Sequence, residues 1–171
     1  MRIRIVTILV LVIALCGFIP TSGYSSDNEI NRESIRGIKG VHVLIEILGQ
    51  DEIRDGLTAD LILKDVELRL RKNGITVLTE AGMRIYPGNP LLYINTNFRK
   101  MKNVSAYVYS LSIEFDQNVT FERNKLSMRA VTWNLGTVGY TPINNLNSVR
   151  KDIKGLVDRF INAYLSVNPK K

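Results

Sequence analysis

The chain has one cysteine, one histidine and one tryptophan in 171 residues, and each scarcity removes a class of chemistry. Cys16 lies inside an N-terminal apolar run. Once that run is removed, no disulfide, thiol nucleophile or cysteine-ligated metal site can form. A lone His42 excludes a histidine-rich metal centre and leaves any Ser-His-acid triad resting on one residue. A phosphate-cradling glycine loop is also missing, because Gly136 and Gly139 are followed by no Lys-Ser or Lys-Thr pair. The basic residues form no long run beyond Arg69 to Lys72, Arg99 to Lys102 and Lys170-Lys171. The net charge of +7 therefore reads as solubility and weak attraction to anionic surfaces, with no nucleic-acid partner.

What is present begins with the first 23 residues. Arg2 and Arg4 precede an apolar run from Ile5 to Ile19, then come Pro20 and the small residues Thr21, Ser22 and Gly23. About fifteen apolar residues at ~1.5 Å each span roughly 22 Å, short of a ~30 Å hydrocarbon core. The segment is thus expected to be a signal peptide, cleaved near Gly23, that delivers the protein to the periplasm or the extracellular space. Leu15 before Cys16 is a poor fit to the small residue that lipoprotein acylation requires. Removing Arg2 and Arg4 with the leader leaves 21 basic and 16 acidic residues, a net +5.

The remainder suits a single domain. Residues 24–39 are rich in Ser, Asn, Asp, Glu and Arg, which predicts a flexible lead, and residues 40–168 are expected to hold one α+β domain. Val41 to Leu48 is a β-branched run of strand length. Asp55 to Asn73 fits a helix on Ala59, Ile62, Leu63, Val66 and Leu70, closed by Asn73-Gly74, with a short strand following from Ile75 to Leu78. A hairpin through Asn73-Gly74 is the competing reading. Gly82, Pro87, Gly88 and Pro90 mark a loop before a strand from Leu91 to Phe98.

The most regular pattern follows. Odd positions from Tyr107 to Phe121 are apolar except Gln117, and even positions from Val108 to Glu122 are polar except Val108. That period of two describes one long strand, roughly 50 Å at ~3.3 Å per residue, packed on one side and wet on the other. Arg123, Asn124 and Lys125 reverse it, and Leu126 to Trp133 returns beside it as a hairpin. After Pro142, apolar residues from Ile143 to Leu165 recur at helical spacing, with Asn144, Asn145 and Asn147 as candidate caps. The fold class expected is α+β: a two-layer sandwich with an antiparallel or mixed sheet of about five strands, two helices mainly on one face, and a long central hairpin.

Four segments carry a resemblance: Leu68 to Leu78, Pro90 to Asn95, Thr132 to Gly136 and Leu156 to Leu165. In these the chain resembles a family of exported bacterial proteins of unassigned function. In element order it is similar to envelope α/β domains such as the amino-terminal domain of TolB, a likeness of fold that transmits no function.

Candidate sites are few. Asp51, Glu52 and Asp55 cluster near a helix start, where they favour its dipole. Glu114, Asp116 and Glu122 share an open strand face with no cleft to separate and bury them for acid–base work. The best candidate is an interaction loop from Thr132 to Thr141 carrying Trp133, Asn134, Thr137 and Tyr140, in which two glycines join two aromatics. No catalytic, cofactor-binding or metal residues are assigned, and no cofactor is expected. The implied role is a non-enzymatic protein-interaction or adaptor module of the cell envelope, with a protein as partner. The alternative is a carrier that holds a lipid or other apolar small molecule between helix and sheet, or contacts a membrane surface.

Overall fold

The computed structural model describes residues 25–169; the leader and the expected cleavage near Gly23 lie outside the described residues. In chain order the elements are α1 (Glu29–Glu33), β1 (Gly40–Ile45), α2 (Gln50–Arg54), α3 (Ala59–Lys72), β2 (Thr76–Val77) and α4 (Glu80–Ile85). Three long strands follow, β3 (Leu91–Lys100), β4 (Ala106–Thr120) and β5 (Ser127–Pro142), and a 3-10 turn over Ile143–Asn145 leads into α5 (Asn147–Val167). The sheet is open and mixed, in the order β2-β1-β3-β4-β5. β1 pairs parallel with β2 and β3, whereas β3 with β4 and β4 with β5 are antiparallel. This is the expected α+β class, but the long hairpin, expected at the centre, lies at one side of the sheet, because no strand follows β5 in the order.

The period of two in β4 decides which face is covered. Tyr107, Tyr109, Leu111, Ile113 and Phe115 are buried, and so are Leu92, Ile94, Trp133 and Leu135 on the flanking strands. Against them lies the apolar stripe of α5: Val149, Ile153, Leu156, Val157, Phe160, Ile161 and Tyr164. The Phe160 ring sits 5.4 Å from Trp133 and 5.9 Å from Phe115 between ring centroids. α3 joins the same layer through Ile62, Val66 and Leu70, beside Val41 and Val43 of β1. Three ion pairs fasten it to α5: Arg69 to Asp158, with one contact of 2.7 Å, Arg150 to Asp65 at 2.8 Å, and Lys154 to the same carboxylate at 3.8 Å. All three are partly exposed, so they align the helices more than they stabilise them.

Helix wins over hairpin before Gly74. Thr58 caps α3 by accepting from the Leu61 N–H, and Gly74 takes φ +80° at its end, a conformation glycine adopts without Cβ strain. Three expectations need correction. The lead is packed from Ser25 onward: Ser25 bridges to Leu135, Asn28 caps α1, and Ile35 is fully buried in the core. Polar composition hid this because one isoleucine and a few hydrogen bonds are enough to dock a short arm. The stretch marked as a loop by Gly82 contains α4, whose cap is Thr79 accepting from the Gly82 N–H. No asparagine caps α5; Leu146 occupies that position, and Thr141 and Ser148 instead donate to the Asn145 carbonyl.

Among the described residues the core cluster lies between Ile35 and Val167. Phe160→Ala empties its centre and is expected to destabilise the domain by about 3–5 kcal/mol. Urea unfolding should show a lowered midpoint with an unchanged slope.

Candidate functional site

The segment read as an interaction loop is the second half of β5. Its glycines suggested a loop, yet each sits in register, Gly136 opposite Ser112 and Gly139 opposite Tyr109. A Cβ on Gly139 would lie 2.3 Å from the Tyr109 ring. That ring is held in turn by its hydroxyl, which donates to Asp152 at 2.5 Å. The glycine therefore marks a close approach inside a strand and makes no turn. Burial and the Asp152 carboxylate both push the Tyr109 phenol far above its ordinary value, so it stays a donor.

As a strand, the segment divides its four candidate residues between two faces. Trp133 and Thr137 face the helices, opposite Phe115 and Leu111; Asn134 and Tyr140 face outward, opposite Glu114 and Val108. Trp133 is fully buried. Its indole Nε1 donates to Asp27 at 3.0 Å, and Asp27 also takes a forked contact from Arg32 at 2.6 and 3.0 Å. Asp27 went unnoticed in the sequence because it sits in the polar lead; the faint signal was the cap pattern Asn28-Glu29 immediately after it. Hydrogen bonding from Arg32, opposed by burial and aided by Trp133 and Arg159, holds its carboxyl below the ordinary value.

Asn134 fixes the arm from the other side of the strand. Its side-chain Oδ1 and its backbone carbonyl each accept from the Ser26 N–H at 3.0 Å, and the Asn31 amide donates to the Thr132 carbonyl at 2.6 Å. The Asn134 carbonyl thus points away from β4. By the two-residue period, so do the backbone groups of Val138 and Tyr140. β5 is the outer strand of the sheet, and among the described residues no strand pairs with the side of Gly136–Pro142 that faces away from β4. Val138 is 64% and Tyr140 56% exposed, with exposed Val108 beside them.

Beside this edge the outer sheet face holds a shallow depression of about 230 Å³. Its lining includes Asn97, Ser110, Ser112, Glu114, Asn134 and Gly136. Asp116 stands next to Glu114 on that face, and burial first, then the Glu114 charge, raises its pKa. The space between helices and sheet is different in kind, since it is filled by the ring contacts of Phe115, Trp133 and Phe160.

The other candidates are held apart. Asp51 pairs with Arg54, while Asp55 accepts from Lys100 at 2.7 Å and from the Tyr107 hydroxyl at 2.6 Å. The Asp55 carboxyl is lowered by these hydrogen bonds, Lys100 first. His42 Nδ1 lies 3.0 Å from the Leu78 carbonyl, which can only accept, so that nitrogen carries the proton and the ring ties β1 to the chain beyond β2. Among the described residues no group of three or more His, Cys, Asp or Glu is placed to hold a metal ion.

The chain matches no family model and no curated protein, so the resemblance carried by the strand and helix motifs has no family model behind it. Among solved structures it is similar to a PelC dodecamer from Paraburkholderia phytofirmans, at 18% identity and TM-score 0.43 over 71% of this chain and 86% of that one. It is also similar to a minor lipoprotein from Acinetobacter baumannii, at 11% identity and TM-score 0.32 over 76% of this chain and 93% of that one. Both are loose likenesses of layout, and no role is taken from either.

Two predictions follow from this geometry. Asp27 contributes stability that is present above its ordinary value of 3.8 and is lost as pH falls through its lower folded value. Trp133 emission should therefore change below about pH 4, and Asp27→Asn should show the changed emission already at neutral pH. Gly139→Ala should destabilise by about 1–3 kcal/mol, an effect that Tyr109→Leu partly reverses in the double variant, as read by thermal unfolding.

Proposed function

We propose that this is a non-enzymatic, exported envelope protein that acts as an adaptor, binding another protein by adding a strand of that partner to the free edge of β5. The observation that carries the reading is the edge itself. From Ala130 to Val149 the chain has no charged residue, and the exposed part of the strand lacks the lysine, inward charge or internal proline that normally guards an edge. The same edge already accepts an extended piece of its own chain at Ser25 and Ser26. An added strand would take hydrogen bonds from Val138 and Tyr140 and side-chain contacts from Val108, Val138 and Tyr140.

Export is supported by the composition of residues 1–23. Among the described residues no helix is long and apolar enough to cross a membrane. The carrier reading requires an apolar cavity between helices and sheet, where the ring cluster around Phe160 leaves the adaptor better supported.

The experiment places a photo-crosslinking residue at Tyr140, with exposed Leu68 on α3 as control, and identifies the captured protein. With that partner purified, Val138→Pro should weaken binding at least about tenfold while leaving the circular dichroism unchanged, because the N–H it removes faces outward. Equal capture at both positions, or unchanged affinity in a folded Val138→Pro protein, would refute the edge.

A further inference from the structure

The covered face of the β4–β5 hairpin is longer than the layer that covers it. α5 has 21 residues and spans about 31 Å, whereas β4 has 15 and spans about 50 Å. Gln117, the one polar residue on the odd-numbered face, marks where covering ends: its amide donates to the Ser34 carbonyl and to the Thr132 hydroxyl, both at 2.9 Å. Beyond it the same face continues uncovered. Val119 pairs with Met128, and Phe121 and Leu126 follow at the turn. Ten consecutive residues, Thr120 to Arg129, are exposed, with Phe121 at 47%, Leu126 at 54% and Met128 at 48%.

The opposite face of this tip is polar, formed by Asn118, Thr120, Ser127 and Arg129. The result is an amphipathic two-stranded ribbon. Its turn satisfies much of its own backbone: Phe121 N–H donates to the Leu126 carbonyl at 2.9 Å, Lys125 N–H to the Phe121 carbonyl at 2.8 Å, and Leu126 N–H to the Asn124 side chain at 3.3 Å. Partial removal from water therefore strands few polar groups there. The tip carries Arg123, Lys125 and Arg129 against Glu122 alone. Among the described residues none of these four joins an ion pair. A second copy would bring like charges together at this patch. An anionic lipid leaflet complements both the cations and the apolar face.

We propose that the β4–β5 tip is a peripheral membrane-docking element. It lays Phe121, Leu126 and Met128 into the headgroup–acyl boundary of an anionic leaflet, while Arg123 and Lys125 at the turn meet the lipid phosphates. Val138 lies ten residues beyond Met128 on β5, about 33 Å along the strand. The free edge therefore stays clear of the bilayer, and docking does not depend on the edge binding a protein.

The test uses residues 24–171, which contain the core cluster of the described residues and no cysteine. This protein should sediment with vesicles of equal parts phosphatidylcholine and phosphatidylglycerol and stay in solution with phosphatidylcholine alone. Arg123→Gln and Lys125→Gln should each weaken binding roughly fivefold, and the Phe121→Ser, Leu126→Ser pair at least about tenfold, with unchanged circular dichroism. A polarity-sensitive dye on Leu126→Cys should shift to the blue with anionic vesicles, while one on Ser110→Cys should not. The proposal is overturned if the protein ignores anionic vesicles, if the folded serine pair still binds, or if both dyes respond alike.

Discussion

The packing of Phe160 between Phe115 and Trp133 is the contact on which the other features of this protein depend. A long amphipathic strand pair and a long amphipathic helix each expose an apolar surface that neither can keep in water, and each is the other's cover. Because Trp133 is drawn into that interface, its indole N–H needs a buried acceptor, and Asp27 supplies one. Asp27 carries Arg32 and the N-terminal arm with it. The arm in turn occupies the middle of the β5 edge through Ser25, Ser26 and Asn31. One hydrophobic contact thus determines how the N-terminal arm docks and which part of the edge stays free.

The surfaces with interaction potential lie where covering runs out. An antiparallel sheet tolerates one wet face, and here that face carries serines, asparagines and carboxylates. At one side of the sheet the short strand β2 offers little backbone for pairing. At the other, β5 is 16 residues long. Its cover is partial: the arm occupies only the middle of its edge, near Leu135, and α5 covers its inner face only as far as the helix reaches. Two different exposures result: backbone hydrogen-bonding groups toward Tyr140, and apolar side chains toward Phe121.

Charge follows the same division. Between the helices and along the arm, cations are paired with Asp27, Asp65 and Asp158, so they serve alignment. At the hairpin tip the cations have no such partners among the described residues, and the free edge carries no charge. A basic protein with an uncharged strand edge and a cationic apolar tip presents two chemically distinct contacts at opposite ends of one strand pair.

The local patterns were strong enough to be read directly. The two-residue period of Tyr107 to Phe121, the helical stripes of α3 and α5 and the stop at Asn73-Gly74 each arise from burial of one face, a constraint that writes itself into neighbouring residues. The identity of Thr132 to Thr141 was not legible, because Gly136 and Gly139 look alike whether they serve a turn or a close approach. Only the ring of Tyr109, a residue thirty positions away and held by Asp152, distinguishes the two. The same is true of the lead: its composition is that of an unstructured segment, and its order comes from long-range partners in Trp133, Asn134 and the core around Ile35. Sequence determined the elements and the face each one buries, since those depend on residues a few positions apart. Tertiary structure decided which strand became the edge, where its cover ends, and that Trp133 serves the core while Tyr140 serves the surface, since those depend on which distant segments meet.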